Sequence, residues 1–303
     1  MWGADRFVAG SVAIARNFQI PPLLIGLTIV AMGTSAPEVV VSVTASLKGN
    51  AGLAIGNAVG SNIANIGVVL ALTAIIKPLK IDSAILKREY PILFAVTALS
   101  LLLLIDYYFS RWDGVILLIG AAIFIGWSIY VGLHADQTDA LQVEFTQEMQ
   151  LTLSTTRASI YLVIGMICLP LGAEFLVRGA VTIARYFEVS DVIIGLTVVA
   201  IGTSLPELAT SIVAAFKNEQ DIVLGNVMGS NIFNLLMVLP MAALFAPGEI
   251  VRAIIWRDAL MMVILTAALF IVAYGFRRGP GHITRFEGLL LFASYIAYLS
   301  FLQ

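Results

Sequence analysis

The sequence predicts an all-α integral membrane protein: ten transmembrane helices in two inverted five-helix repeats, with a truncated first helix. Three observations lead there. The 303 residues are 60% hydrophobic and 12% charged, about half the charge of an ordinary soluble domain, and mean hydropathy is +0.97. Apolar stretches approaching the ~20 residues that cross a bilayer recur along the whole chain. The two halves also match one another in register.

Spans are expected near residues 3–17, 21–47, 53–76, 84–105, 112–133, 159–187, 191–216, 221–245, 251–274 and 282–302. The most polar stretch divides them, giving a first repeat over 1–133, a linker over 134–157 and a second repeat over 158–303. Shifted by 169 residues, Gly26–Asn65 lies on Gly195–Asn234 without a gap, and 20 of 40 positions are identical. The identities include Gly, Thr, Ser, Pro, Glu and Asn, which chance similarity between apolar segments does not supply. Five spans per half is an odd number, so the second half enters from the opposite side, an architecture of secondary transporters.

Loop charges suggest the orientation. Arg16, Lys77, Lys80, Lys87, Arg88, Arg157, Lys217, Arg277, Arg278 and Arg285 fall on one side, and Lys48, Arg111, Arg185, Arg252 and Arg257 on the other. The first side, with the linker, is expected in the cytoplasm, leaving both termini outside. In the repeat register Gly3 aligns with Gly172, and the counterpart of Ser159–Leu171 would precede Met1. The reading frame is therefore expected to continue upstream, or the chain to be a shortened form.

Composition excludes other classes. The net charge of −2 comes with no basic stripe for nucleic acid. The single cysteine, Cys168, allows no intrachain disulfide. No charged n-region followed by a cleavage site is visible, so a secretory signal peptide is not expected. The only histidines, His134 and His282, lie in loops, which disfavours an intramembrane enzyme. No cofactor and no protein partner are expected beyond the lipid bilayer.

The chemistry concentrates in GTSAPE, Gly33–Glu38, and GTSLPE, Gly202–Glu207. Proline inside a helix removes a backbone donor and repels the carbonyl four residues back. Pro37 thus frees the Gly33 carbonyl and strains Thr34; Pro206 does the same to Gly202 and Thr203. In lipid such groups need a partner, and a cation is one. An ionised carboxylate at the bilayer centre costs several kcal/mol. Two of them, Glu38 and Glu207, at related positions beside two broken helices, point to a cation site. Carboxylates, carbonyls and hydroxyls are hard oxygen donors that suit Ca2+ and Na+, whereas zinc or copper would call for histidine or cysteine.

The second motif is GNAVGSNIAN, Gly56–Asn65, matched by GNVMGSNIFN, Gly225–Asn234. Asn57, Ser61 and Asn65 form one polar stripe on a helix, as do Asn226, Ser230 and Asn234. Asn57, Asn62, Asn226 and Asn231 either bond helices together or join the site. Ser61, Asn65, Ser230 and Asn234 read as ligands or their supports. Gly56 with Gly60, and Gly225 with Gly229, permit close helix packing. Glu174 and Arg178 are spaced to pair, and Lys48 and Lys217 are expected to snorkel from helix ends.

At these motifs the chain resembles the sodium/calcium exchanger branch of the cation/calcium antiporter superfamily. The resemblance implies a prokaryotic plasma (inner) membrane protein that exchanges Ca2+ for Na+ by alternating access. It implies four cation sites in a diamond between the second, third, seventh and eighth spans, with the first and sixth spans sliding across the core. Glu38 and Glu207 match the central glutamates, and Thr34, Ser35, Thr203 and Ser204 the broken-helix ligands. Ala31 and Ala200 match positions that lend carbonyls to Na+, and Ser61, Asn65, Ser230 and Asn234 the flanking ligands. Some exchangers carry aspartate where this chain has Asn234. Ca2+/H+ exchange and a cation channel are the alternatives.

Overall fold

In lipid each backbone donor and acceptor must be satisfied within its own segment, which leaves helices as the solution for apolar stretches of this length. The computed structural model describes residues 1–81, 83–133, 153–187, 200–273 and 281–301. Most of the linker expected at 134–157, and the first part of the seventh span at 191–199, lie outside the described residues, as do the side chains of Lys87 and Arg88 and both Arg277 and Arg278.

The helices are α1 (Trp2–Asn17), α2 (Pro22–Thr34), α3 (Ala36–Leu47), α4 (Ala51–Ile76), α5 (Ser83–Leu104) and α6 (Arg111–Leu133), then α7 (Thr155–Tyr186), α8 (Ala200–Thr203), α9 (Leu205–Phe216), α10 (Gln220–Phe245), α11 (Ile254–Ala273) and α12 (Arg285–Ser300). They fall close to the expected spans. Among the described residues five helices are long and apolar enough to cross a membrane, or six if α2 and α3 count as one bent span. α1 and α12 have 16 residues each and α9 has 12; Glu89–Leu104 of α5 is a shorter apolar helix among the described residues. The linker ends sooner than expected, since Thr155, Thr156 and Arg157 already belong to α7. Ser and Thr favour helix N-termini because their side chains can accept from the first free N–H groups.

α1 and α7 run antiparallel. The Asn17 amide donates to the Leu153 carbonyl at 3.0 Å and Arg6 to the Tyr161 hydroxyl at 2.9 Å, while Gly10 abuts Ala158 and Gly3 abuts Cys168. Contacts descend α7 as they climb α1.

α10 forms the centre of the core, with Ile222–Leu236 buried throughout. α2 lies directly on it: a Cβ at Gly225 would sit 2.6 Å from the Leu23 carbonyl oxygen, and one at Gly229 2.5 Å from that of Leu27. Only glycine allows backbones this close, as the small-residue spacing anticipates. At Gly56 and Gly60 an added Cβ would meet no atom within 4 Å among the described residues.

Four short strands tie the ends of the bundle. β1 (Leu79–Ile81) pairs antiparallel with β4 (Gly281–Ile283), and β2 (Tyr108–Phe109) with β3 (Gly248–Glu249). Each pair joins a strand of the first half to one of the second.

Candidate cation site at the helix breaks

The two GTSxPE motifs fold alike. α2 and α3 meet at Ser35 with a bend of 45°. Ser35 has φ −83°, ψ 6°, and Ser204, between α8 and α9, has φ −86°, ψ 7°. This bridge conformation is sparsely populated and recurs at functional sites. Pro37 and Pro206 follow within the first turn of α3 and α9, where a missing N–H costs nothing. Glu38 and Glu207 sit in the same first turns, near the positive ends of those helices. Both glutamates are 1% exposed, and Oε2 of each is buried with no hydrogen-bond partner among the described residues. Glu38 lies within electrostatic reach of Glu207.

The backbone of each glutamate is fastened identically. Asn57 Nδ2 donates to the Glu38 carbonyl at 3.0 Å and to Ser42 Oγ at 2.9 Å. Asn226 Nδ2 donates to the Glu207 carbonyl at 3.2 Å and to Ser211 Oγ at 3.0 Å. Asn57 and Asn226 thus hold the helix that carries the carboxylate. Ser42 and Ser211 complete the fastening and were absent from the expected site; their identity in the 169-residue register is the signal that could have found them.

The remaining expected residues gather around the breaks. Thr34 Oγ1 donates to Asn226 Oδ1 at 3.1 Å and lies 3.4 Å from Ser230 Oγ. Ser35 Oγ donates to Glu207 Oε1 at 3.1 Å, so the first break touches the second glutamate. The Ala31 carbonyl accepts from the Ser35 N–H at 2.9 Å and so is engaged here, with Thr34 Oγ1 3.3 Å away. Thr203 is half-buried and Ser61 buried. Ser204 Oγ is buried without a partner among the described residues. Ala200 opens α8. Asn65 and Asn234 each begin a π-helical turn, at Asn65–Leu70 and Asn234–Val238, a distortion frequent at functional sites.

Two more amides, Asn62 and Asn231, join Asn65 and Asn234 between α4 and α10. Asn65 Nδ2 donates to Asn231 Oδ1 at 3.0 Å, and Asn62 Nδ2 to the Asn231 carbonyl at 3.1 Å. Both atoms of the Asn234 amide are buried without partners among the described residues, as are Asn62 Oδ1, Asn65 Oδ1 and Asn231 Nδ2.

Buried polar atoms left unpaired cost about 1–3 kcal/mol each and charged ones more. Six of the unpaired atoms named here are oxygens of carboxyl, hydroxyl and amide groups, the hard donor type. Among the described residues no group of three or more His, Cys, Asp or Glu could hold a metal.

The family model of the sodium/calcium exchanger protein matches residues 1–130 and 158–303. The chain belongs to the sodium/calcium exchanger family. It is 46% identical over 299 residues to CaxA of Alkalimonas amylolytica, whose name puts it forward as an antiporter, covering 98% of this chain and 93% of that protein. It is 38% identical over 304 residues to the inner membrane protein YrbG of Escherichia coli, covering 100% and 93%. Among solved structures, the sodium-calcium exchanger NCX_Mj soaked with 2.5 mM Na+ and 10 mM Sr2+ superposes with TM-score 0.84 at 36% identity, covering 100% of this chain and 94% of that one.

Outside this site, Glu174 and Arg178 pair at 2.6 Å on an exposed face, as their spacing suggests. Lys217 does not simply snorkel. It pairs with Asp5 of α1 at 2.8 Å, and Arg16 pairs with Glu219 at 3.3 Å.

Proposed function

We propose that this chain is a secondary antiporter that exchanges Ca2+ for Na+ across the plasma (inner) membrane by alternating access. The cations bind between the breaks that follow α2 and α8, with α4 and α10 flanking. The observation that carries this reading is the pair of buried glutamates, each in the first turn after a matched helix break, each with an unpaired carboxylate oxygen.

One Ca2+ neutralises Glu38 and Glu207, and so do two Na+. At ~4 Å and an effective dielectric of about 20, each carboxylate contributes roughly 4 kcal/mol per unit of cation charge before desolvation. The ions therefore compete for one charge balance, which is the requirement for exchange in place of leak. Thr34, Ser35, Thr203, Ser204, Ser61, Ser230, Asn65 and Asn234 supply neutral oxygens, and Ala31 and Ala200 backbone carbonyls. A site alternately open to the two sides needs two related halves. The 169-residue register and the antiparallel course of α1 and α7, which contain the paired Gly3 and Gly172, support ten helices in two inverted repeats. With the linker in the cytoplasm, both termini face outward.

The test is radiolabelled Ca2+ uptake into proteoliposomes loaded with Na+. Uptake driven by the outward Na+ gradient is expected. Uptake that follows a proton gradient and ignores Na+ would replace the reading with Ca2+/H+ exchange, and ion current without counter-transport would replace it with a channel. For orientation, single cysteines at Lys48 and Thr138 in a Cys168→Ser background are expected to be labelled and protected, respectively, by impermeant thiol reagents in intact cells; the opposite pattern overturns the topology.

A further inference from the structure

The four amides between α4 and α10 are related in pairs by the repeat, Asn62 with Asn231 and Asn65 with Asn234, yet their bonding is unequal. Asn231 is held twice by the first half: its carbonyl accepts from Asn62 Nδ2 at 3.1 Å and its Oδ1 from Asn65 Nδ2 at 3.0 Å. The second of these bonds fixes the Asn65 amide. Its nitrogen is turned to Asn231, so its oxygen is the atom left over, and Asn65 Oδ1 is buried and unpaired. For Asn234 the equivalent partner would be Asn62 Oδ1. That bond is not made, and both atoms of Asn234 are unpaired in a side chain that is 0% exposed.

We propose that Asn231 is a positioning residue that presets Asn65 as an oxygen donor to the transported cation, leaving Asn234 the adaptable one of the two flanking amides. This rests on the exchange reading of the site. An amide offers a cation only its oxygen, and an amide free to rotate must give up that freedom on binding. The bond to Asn231 removes it beforehand at Asn65. Residues that orient a ligand in this way typically change metal affinity about 10–100-fold when removed. Asn62, the register mate of Asn231, donates to the Asn231 carbonyl at 3.1 Å and to Met262 Sδ at 3.5 Å and presents no bond to Asn234, so it carries no such role.

The experiment is equilibrium binding of radiolabelled Ca2+ to the purified full chain in detergent, which needs no counter-ion. Asn231→Leu is expected to weaken Ca2+ binding about tenfold, as is Asn65→Ala. The double variant should lose no more than either single one, since both remove the same oriented oxygen. Asn231→Asp retains an acceptor for Asn65 Nδ2 and adds a carboxylate beside the site, so its Ca2+ binding should not weaken as that of Asn231→Leu does. Asn231→Ala carries the expectation of the leucine variant without added volume and stands in for it if leucine prevents folding. Binding by Asn231→Leu or Asn231→Ala equal to the wild type overturns the inference. So does a double variant whose loss is the product of the two single losses, because Asn231 then acts independently of Asn65. A wild-type chain that binds no Ca2+ overturns the exchange reading instead, and the inference with it.

Discussion

The two halves of the molecule make the same bonds within themselves and different bonds across the site. Within each half, Asn57 and Asn226 fasten the carbonyls of Glu38 and Glu207, with Ser42 and Ser211 in matching places. Across the site, Ser35 reaches Glu207, Asn62 reaches the Asn231 carbonyl and Asn65 reaches Asn231 Oδ1. Every donor in that set belongs to the first half. The corresponding donors of the second half, Ser204 Oγ, Asn231 Nδ2 and Asn234 Nδ2, are all buried without partners among the described residues. Duplication in sequence thus fixes how the carbonyl of each glutamate is held, while these contacts across the breaks are made by donors of the first half. Oε2 of each glutamate is likewise without a partner among the described residues.

The strongest way to break this comparison is at the glutamates, where the halves should be equivalent. Glu38→Gln and Glu207→Gln are each expected to lower Na+-driven Ca2+ uptake in proteoliposomes more than about a hundredfold, since each removes roughly 4 kcal/mol of attraction per unit of cation charge. A variant that keeps wild-type uptake would show that one half alone carries the charge.

The packing of α2 on α10 comes next. A methyl group at Gly229 would sit 2.5 Å from the Leu27 carbonyl oxygen. Gly229→Ala is expected to destabilise by about 1–3 kcal/mol and to lower the unfolding temperature in detergent. An unchanged unfolding temperature would contradict so close an approach of the two backbones.

The duplicated fastening should again give equal outcomes. Asn57→Ala and Asn226→Ala each remove donors to a glutamate carbonyl and a buried serine, at about 1–3 kcal/mol. Similar losses in unfolding temperature and in Ca2+ affinity are expected. A large effect in one and none in the other would contradict the matched geometry. The smallest effect belongs to the pair that ties α1 to the α9–α10 turn. Lys217 and Asp5 are substantially exposed, with side chains 35% and 46% accessible, so Lys217→Ala should cost less than about 1 kcal/mol. An unfolding temperature as low as that of Gly229→Ala would show that this contact bears structural load.

The fold was largely legible in the sequence because the apolar stretches and their polar breaks follow directly from the cost of burying backbone and charge in lipid. The helix breaks were legible for the same reason: Pro37 and Pro206 disturb the apolar spans that hold them, and the carboxylates of Glu38 and Glu207 are costly there. What escaped was the division of labour among the amides. Asn57, Asn62 and Asn65 are alike as residue types and recur on one helix, and only the approach of α3 to Asn57 and of α10 to Asn62 and Asn65 decides which bonds each makes. Lys217 escaped likewise, since its partner Asp5 lies 212 positions away and no periodicity links them.

The central claim is that one cation site lies between the two matched breaks. Anomalous diffraction from crystals of the wild-type chain soaked in Ca2+ locates the ion directly. The expected result is a peak within about 2.3–2.6 Å of carboxylate oxygens from both Glu38 and Glu207. A peak ligated by neither glutamate, or by groups of one half alone, would contradict it.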